Sequence, residues 1–272
     1  MPELPEVETV KEGLKKRLLN KTIIGVDVLF EGIIEYPSSL EFKKNLIGQT
    51  IIDIKRRGKW LLFLLNDYYL ISHLRMEGKY FIKDKSLPII KHEHVIISFK
   101  EFQLRYQDTR KFGKMALIKK DEINNYPAIK KLGYEPWDKE LTVDNLKHLM
   151  YKSKLPIKTL LLDQTIISGI GNIYADEILF LSKLNPLEKV INLKDNDYLN
   201  IIENTKFILE KAIKLGGSTI HSYQSVDGIT GRFQNELLVH TKSVCSVCGG
   251  NIDKIVVGGR GTYYCLKCQN KR

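Results

Sequence analysis

Proline stands at position 2, followed by Glu3, Leu4, Pro5, Glu6, Val7 and Glu8. A small residue after Met1 permits removal of the initiator methionine, which would leave Pro2 with a free secondary amine. Such an amine is a nucleophile towards an aldehyde-like carbon. Its adduct has no N–H to lose, so the iminium keeps its charge and remains an electron sink. Model α-amino groups titrate at about 7.7–8.0, which leaves a useful fraction unprotonated near neutrality. Met-Pro beginnings are common and most termini fray, so the reading needs a chain with a use for a nucleophile.

A second set of residues suits a metal. Cys245-x2-Cys248 and Cys265-x2-Cys268 hold all four cysteines, with sixteen residues between the pairs. Two short knuckles at that spacing match a four-cysteine zinc ribbon, in which tetrahedral thiolate geometry sets each pair on one tight turn. Disulfides fit poorly in a reducing compartment. A redox pair fits poorly too, because no βαβ pattern surrounds it. Four thiolates around one Zn2+ lower the net charge by two only.

A third set suits an anion. Ser168-Gly169-Ile170-Gly171-Asn172 precedes an apolar helical pattern, with Asn172 expected as the N-cap. Two glycines let the backbone approach closely, and N–H groups at a helix start attract phosphate. Plain helix capping explains an isolated match equally well. Nearby Lys152, Lys154 and Lys158 tilt the reading towards phosphate.

These groups need elements to position them. Val7, Val10, Leu14 and Leu18 recur at helical steps after Pro5, a residue suited to a first turn. The helix's positive end would hold the Pro2 amine neutral beside Glu3 and Glu6. Short β-rich runs follow: Ile23–Phe30, Thr50–Ile54, Trp60–Leu65, Leu70–Leu74, His94–Phe99, Leu104–Gln107 and Lys114–Ile118. No helices intervene, so an antiparallel sandwich or barrel is expected rather than a parallel sheet. Helices are expected at Val143–Tyr151, Ile157–Leu162, Asn172–Leu184 and Tyr198–Leu215, the last ended by Gly216-Gly217. Residues 216–236, rich in Gly, Ser and Thr, read as a long loop, and loops of that length inside a compact domain are usually functional or disordered. The 272 residues carry a formal charge of +11, from 43 basic and 32 acidic side chains. Biased codon usage would explain part of that excess, but a polyanion partner is favoured. No apolar run is long enough to span a bilayer and no secretory signal pattern occurs, so a soluble, cytoplasmic chain is expected.

Several motifs in order resemble the bacterial formamidopyrimidine-DNA glycosylase family. They are Pro-Glu-Leu-Pro-Glu-Val-Glu from Pro2, Arg56-Arg57-Gly58-Lys59-Trp60, Ser72-His73-Leu74-Arg75-Met76 and Asp108-Thr109-Arg110-Lys111-Phe112-Gly113. Gly169-Ile170-Gly171-Asn172-Ile173-Tyr174, Gln234-Asn235-Glu236-Leu237 and Gly259-Arg260-Gly261-Thr262-Tyr263-Tyr264-Cys265 complete the set, and the resemblance runs in order from Pro2 to Gln269. The resemblance implies an α+β chain: an N-terminal antiparallel β-sandwich with its first helix over 1–132, a helix–two-turns–helix domain with a lesion-recognition loop over 133–236, and a zinc ribbon over 237–272. It implies a monomer that grips damaged double-stranded DNA in the cleft between domains, without a membrane.

The implied activity is that of a bifunctional glycosylase and abasic-site lyase of base excision repair, excising 8-oxoguanine and formamidopyrimidines. A lesion inside a duplex must be flipped out to be reached. Pro2 resembles the nucleophile, Glu3 the acid for sugar-ring opening and Glu6 a residue of the lesion pocket. Lys59 and Arg260 resemble the residues that act at departing phosphates. Met76, Arg110 and Phe112 resemble the hole-filling side chains, His92, Asn172, Lys154 and Lys158 are expected as DNA contacts, and Cys245, Cys248, Cys265 and Cys268 are expected to hold one structural zinc.

Some positions depart from the family pattern. Thr109 replaces a common proline, Leu266 another, and Ser153 a DNA-contacting lysine. Val239-His240-Thr241-Lys242 replaces a Val-Tyr-Gly-basic pattern, and the stretch before Cys245 is about two residues short. Alternatives from other classes are the endonuclease VIII branch acting on oxidised pyrimidines, a non-catalytic DNA-binding protein on the same scaffold, and a zinc-ribbon adaptor of translation or transcription.

Overall fold

Val7, Val10, Leu14 and Leu18 lie on one buried face of α1 (Leu4–Leu18), with Pro5 in its first turn. That face packs into a single apolar cluster with residues of two sheets, among them Ile54, Leu61, Phe63, Val95, Ile97, Leu104 and Leu117. The computed structural model describes residues 1–218 and 231–271, which fold as two compact units. The first comprises residues 1–130 with 216–232, and the second 131–215 with 233–272. Residues 219–230 of the expected long loop lie outside the described residues.

In the first unit the strands are β1 (Gly25–Val28), β2 (Ile34–Tyr36), β3 (Asp53–Arg57), β4 (Trp60–Leu64), β5 (Tyr68–His73), β6 (Lys79–Lys83), β7 (Glu93–Ser98), β8 (Gln103–Gln107) and β9 (Lys114–Lys119). One sheet has the order β2-β9-β5-β4-β3 and the other β1-β7-β8-β6. Pairing is antiparallel as expected, except that β2 runs parallel to β9. The sequence did not mark β2, β6 or the helix α2 (Ser39–Leu46). Only Phe42 and Leu46 of α2 are buried, a stripe too short to stand out. A short α3 (Pro127–Lys130) closes this part of the chain.

The second unit holds α4 (Val143–Met150), α5 (Ile157–Leu162), α6 (Asn172–Leu181) and α7 (Asp195–Lys214), then a hairpin of β10 (Ile252–Val257) and β11 (Arg260–Cys265). Helix α7 begins three residues earlier than expected, because the Lys194 N–H donates to the Asp197 carboxylate at 2.8 Å and caps it. Gly216 and Gly217 take positive φ just past its end. Helix α6 packs on α5, α7 and β11, so the hairpin shares a unit with the helices.

Candidate active-site residues and metal centre

In the first unit, Pro2 is buried at the start of α1, followed by Glu3 at 3% and Glu6 at 2% exposure. The Glu3 N–H donates to one Glu6 carboxylate oxygen at 2.8 Å, and the Ser218 N–H donates to the other at 2.7 Å. Glu6 thus joins the helix start to the Gly216–Ser218 segment. Gly217 has φ +78°, and a Cβ there would lie 2.7 Å from the Glu6 carboxylate, so only glycine fits. The Ser218 Oγ is buried without a hydrogen-bond partner, which points to a ligand atom beside Glu6. Sequence reasoning missed Ser218, whose only signal was its place after Gly216-Gly217.

Lys59 is buried in the two-residue turn between β3 and β4, where Arg57 pairs with Trp60. Gly58 has φ +55°, as the first residue of such a hairpin turn requires. The turn is tied to α1: Arg56 donates to the Glu8 carboxylate at 2.8 Å and to the Gly58 carbonyl at 2.9 Å. Burial pushes the Glu8 carboxyl upward, but hydrogen bonds from Lys11 and Arg56 outweigh it and hold the group below its usual range. Near Lys59 sits His73, whose Nδ1 accepts the Arg75 N–H at 2.9 Å and whose ring meets Trp60 edge-on. Burial first, then the Arg75 and Lys59 charges, bring its pKa down to about 3. His73 is therefore a neutral imidazole with its proton on Nε2. It too was missed as a site residue, although it stands in a quoted motif.

The loop before β9 is shaped by Asp108, which is fully buried. Its carboxylate accepts the N–H groups of Arg110 at 3.0 Å, Phe112 at 2.9 Å and Gly113 at 2.8 Å. With its polar backbone turned inward, the loop presents Arg110 and Phe112 to solvent, the guanidinium 4.7 Å from the ring centroid. Phe112 is 49% exposed and Met76 40%, too much for plain core residues. Thr109, at the family's proline position, donates its hydroxyl to Glu77, next to Met76. His92 has φ +72°, and its carbonyl accepts the Asp108 N–H at 3.0 Å. The Arg110 N–H bond is that of an Asx turn, in which an aspartate accepts the backbone N–H two residues on.

In the second unit, Gly171 caps α6, which corrects the expectation that Asn172 does so. The Asn172 amide instead donates to the Gly261 carbonyl at 2.9 Å, and its Oδ1 is buried without a partner. Gln164, missed in the sequence, clasps the turn by accepting the Gly169 N–H at 2.9 Å and donating to the Ile170 carbonyl at 2.8 Å. Lys154 is exposed, as a phosphate contact requires. Lys158 is not: at 0% exposure its ammonium donates to the Asn172 carbonyl at 3.0 Å and pairs with the Asp176 carboxylate. This overturns its expected place among the DNA contacts, because a lysine inside an ion pair has no surface to offer a phosphate. Arg260 is exposed at the end of a two-residue turn, with Gly258 at φ +54° and Gly259 at φ +73°.

The four cysteine sulfurs all lie within 4.8 Å of one another, with Cys245 and Cys268 3.8 Å apart and Cys248 and Cys265 3.4 Å apart. Tetrahedral Zn–S bonds of about 2.3 Å demand sulfur separations of about 3.8 Å. The donor set fits one structural zinc. The second knuckle is fixed from below: the Cys265 N–H donates to Gln269 Oε1 at 2.9 Å, and Gln269 Nε2 donates to the Leu184 carbonyl at 2.8 Å. Cys245, Cys265, Val239 and Phe180 of α6 form its small core.

A two-sheet unit with Pro2 buried at the start of its first helix, and a helical unit that carries a four-cysteine hairpin, define an α+β protein with a structural zinc site. Residues 1–115 match the formamidopyrimidine-DNA glycosylase N-terminal domain, 132–224 its H2TH domain, and 242–271 the zinc finger found in FPG and IleRS. Formamidopyrimidine-DNA glycosylase of Exiguobacterium sp. is 44% identical over 275 residues and all of both chains, and that of Shouchella clausii is 46% identical over 273 residues and 99% of each. A solved complex of Lactococcus lactis Fpg with DNA containing an abasic site superposes with a TM-score of 0.94 at 43% identity, over 99% of this chain and 100% of that one. The same protein with N7-benzyl-Fapy-dG DNA gives the same values. The chain belongs to the formamidopyrimidine-DNA glycosylase family.

Proposed function

We propose that this protein excises oxidised purines from double-stranded DNA and then cleaves the strand at the abasic site. The observation that carries the reading is the buried Pro2, with Glu3 and Glu6 beside it and the unpartnered Ser218 hydroxyl on Glu6's far side. Relatives of 44–46% identity named for formamidopyrimidine removal support the substrate class. Once Met1 is removed, the Pro2 nitrogen lone pair attacks C1′ of the flipped nucleotide, and the base leaves with its bonding electrons and takes up the proton that the Pro2 nitrogen gives up, which restores a lone pair on that nitrogen. Glu3 supplies a proton to the ring oxygen as the C1′–O4′ bond opens, leaving a cationic iminium between Pro2 and C1′. That cation acidifies the neighbouring C2′–H, whose loss expels the 3′-phosphate by β-elimination. A second elimination expels the 5′-phosphate.

Lys59 acts at the departing phosphates from its turn, and the Arg260 guanidinium binds the same kind of group. Asn172 and the N–H groups at the α6 start contact the DNA backbone, as do His92 and Lys154. Arg110, Phe112 and Met76 fill the space left by the flipped nucleotide. The zinc holds the hairpin that carries Arg260. The protein acts as a monomer in the bacterial cytoplasm; among the described residues no helix is long and apolar enough to cross a membrane.

The test is borohydride trapping on a duplex with one abasic site, beside excision from 8-oxoguanine, formamidopyrimidine and oxidised-pyrimidine duplexes. A covalent protein–DNA band and preference for the purine lesions are expected. Binding without a trapped band would make the protein a non-catalytic DNA binder, and preference for pyrimidine lesions would place it with endonuclease VIII.

A further inference from the structure

The departure at His240 leads into a buried polar network that the proposed chemistry does not use. Asp176 in the second turn of α6 is 1% exposed, and its carboxylate serves three donors. One oxygen takes the Lys158 ammonium; the other takes His240 Nδ1 at 2.6 Å and the Tyr263 N–H at 3.2 Å. An ionised carboxylate only accepts, so His240 must carry its proton on Nδ1, which fixes the tautomer. The His240 ring also packs edge-on against Tyr263, with centroids 5.0 Å apart. Next along the helix, Glu177 accepts the N–H groups of Leu238, Val239 and His240 at 2.8 to 3.0 Å and pins the backbone that delivers the imidazole.

These bonds close a ring. Lys158 donates onward to the Asn172 carbonyl, and the Asn172 side chain donates to the Gly261 carbonyl, next to Arg260. Two residues further along β11, Tyr263 returns to Asp176. The anion turn and the strand that starts at Arg260 are thus held by one buried carboxylate. Without the imidazole, one oxygen of that carboxylate would keep only the longer Tyr263 bond. A buried carboxylate short of donors is costly, and the cation it still holds, here Lys158, is drawn towards the unfilled oxygen. Lys158 would then be drawn from Asn172, and both the turn and β11 would lose their common reference.

We propose that His240 is a positioning residue: by donating Nδ1–H to Asp176 it sets the place of the Asn172 turn relative to the β11 strand bearing Arg260. The inference rests on the function proposed above for Asn172 and Arg260, and it deepens that reading. It predicts that a side-chain N–H at the Nδ1 position suffices. An asparagine places its amide near that point, whereas glutamine reaches the Nε2 position and phenylalanine offers only the ring's shape.

The experiment compares zinc-loaded, full-length wild type with His240→Asn, His240→Gln and His240→Phe. Zinc content and Tm are measured with single-turnover strand cleavage and affinity for a duplex holding a tetrahydrofuran abasic-site analogue. Displacing a catalytic group by about 1 Å can cost about a hundredfold in rate. His240→Phe and His240→Gln should keep zinc yet lose between about tenfold and a hundredfold in cleavage rate, more than in affinity, and His240→Asn should recover most of it. NMR of labelled protein gives a readout that mere stability would not move. Wild type should show a strongly downfield Nδ1 proton that Asp176→Asn abolishes, and the amides of Asn172, Gly261 and Tyr263 should shift in the Phe variant but not in the Asn variant. Equal cleavage in all variants, equal loss in Asn and Phe, or no Nδ1 proton in wild type would overturn the proposal. If wild type itself fails to cleave, the function reading falls while the amide shifts still decide the role of His240. Should His240→Phe fail to fold, the Nδ1 proton and the Asn–Gln contrast carry the test.

Discussion

Pro2 can react only as an amine, which makes its covalent state the first thing to vary. Retention of Met1 turns the nitrogen into an amide with no usable lone pair, so trapping and cleavage should vanish while DNA affinity persists. Pro2→Gly keeps a primary amine whose imine can lose its proton, so cleavage should fall sharply without disappearing. Full lyase activity in protein shown by mass spectrometry to retain Met1 would remove Pro2 from the mechanism. His73 offers a prediction of a different kind. Its folded pKa lies near 3, against an ordinary value of 6.5. The unfolded chain therefore binds a proton below about pH 6.5 that the folded one refuses until about pH 3. The stability contributed by the neutral ring is complete above pH 6.5 and is lost as pH falls through that window, by about 1.4 kcal/mol per unit. Urea unfolding from pH 7 to pH 4.5 should show a shallower decline for His73→Gln than for wild type. Parallel curves would mean that His73 is not held neutral. Neither Ser218 nor His73 was legible as a functional position, because an orphan hydroxyl and a desolvated imidazole exist only once the chain is folded.

Elements with strong spacing were readable, and the residues that shape the loops between them were not. Ile157–Leu162 has the expected bounds, and Val143–Met150 ends one residue early, because apolar spacing at helical steps is a local signal. The loop at 109–113 depends on a carboxylate that buries itself under its own backbone, which no periodicity announces. Asp108→Asn tests it. The amide would present an NH2 group to N–H donors now satisfied by the carboxylate, so at least one buried donor is orphaned, at about 1–3 kcal/mol. The loop would relax, and Arg110 and Phe112 would lose their presentation together. Asp108→Asn should therefore reproduce the combined defect of Arg110→Ala and Phe112→Ala: slower base excision and blunted discrimination between opposite bases. Trapping on a pre-made abasic site should fall less. Wild-type excision in Asp108→Asn would show that the loop holds its shape without the buried acid. Lys158 was misread for a related reason: its partner Asp176 stands 18 positions away, and nothing local distinguishes a buried lysine from a surface one.

At the scale of the whole molecule, a formal charge of +11 makes a polyanion partner plausible but does not say which lysines meet it. Salt dependence can. Each phosphate neutralised on a duplex steepens the fall of log affinity with log salt by about 0.9. Lys154, exposed beside the α5 start, should count as one such contact, so Lys154→Ala should make the slope shallower by about one unit and leave Tm unchanged. Lys158→Ala removes the same formal charge with a different consequence. It leaves the Asp176 carboxylate buried without its cation, a loss of about 3–5 kcal/mol. Tm should drop by several degrees, zinc retention should weaken because Tyr263 and His240 hang on the same carboxylate, and the slope for the fraction still folded should change little. Two lysines four positions apart are thus expected to separate an electrostatic contact from an internal brace. The measurement is anisotropy titration on an abasic-site-analogue duplex from 50 to 200 mM salt, paired with thermal unfolding of each variant. A one-unit change of slope in Lys158→Ala with unaltered Tm would restore it to the DNA-binding face.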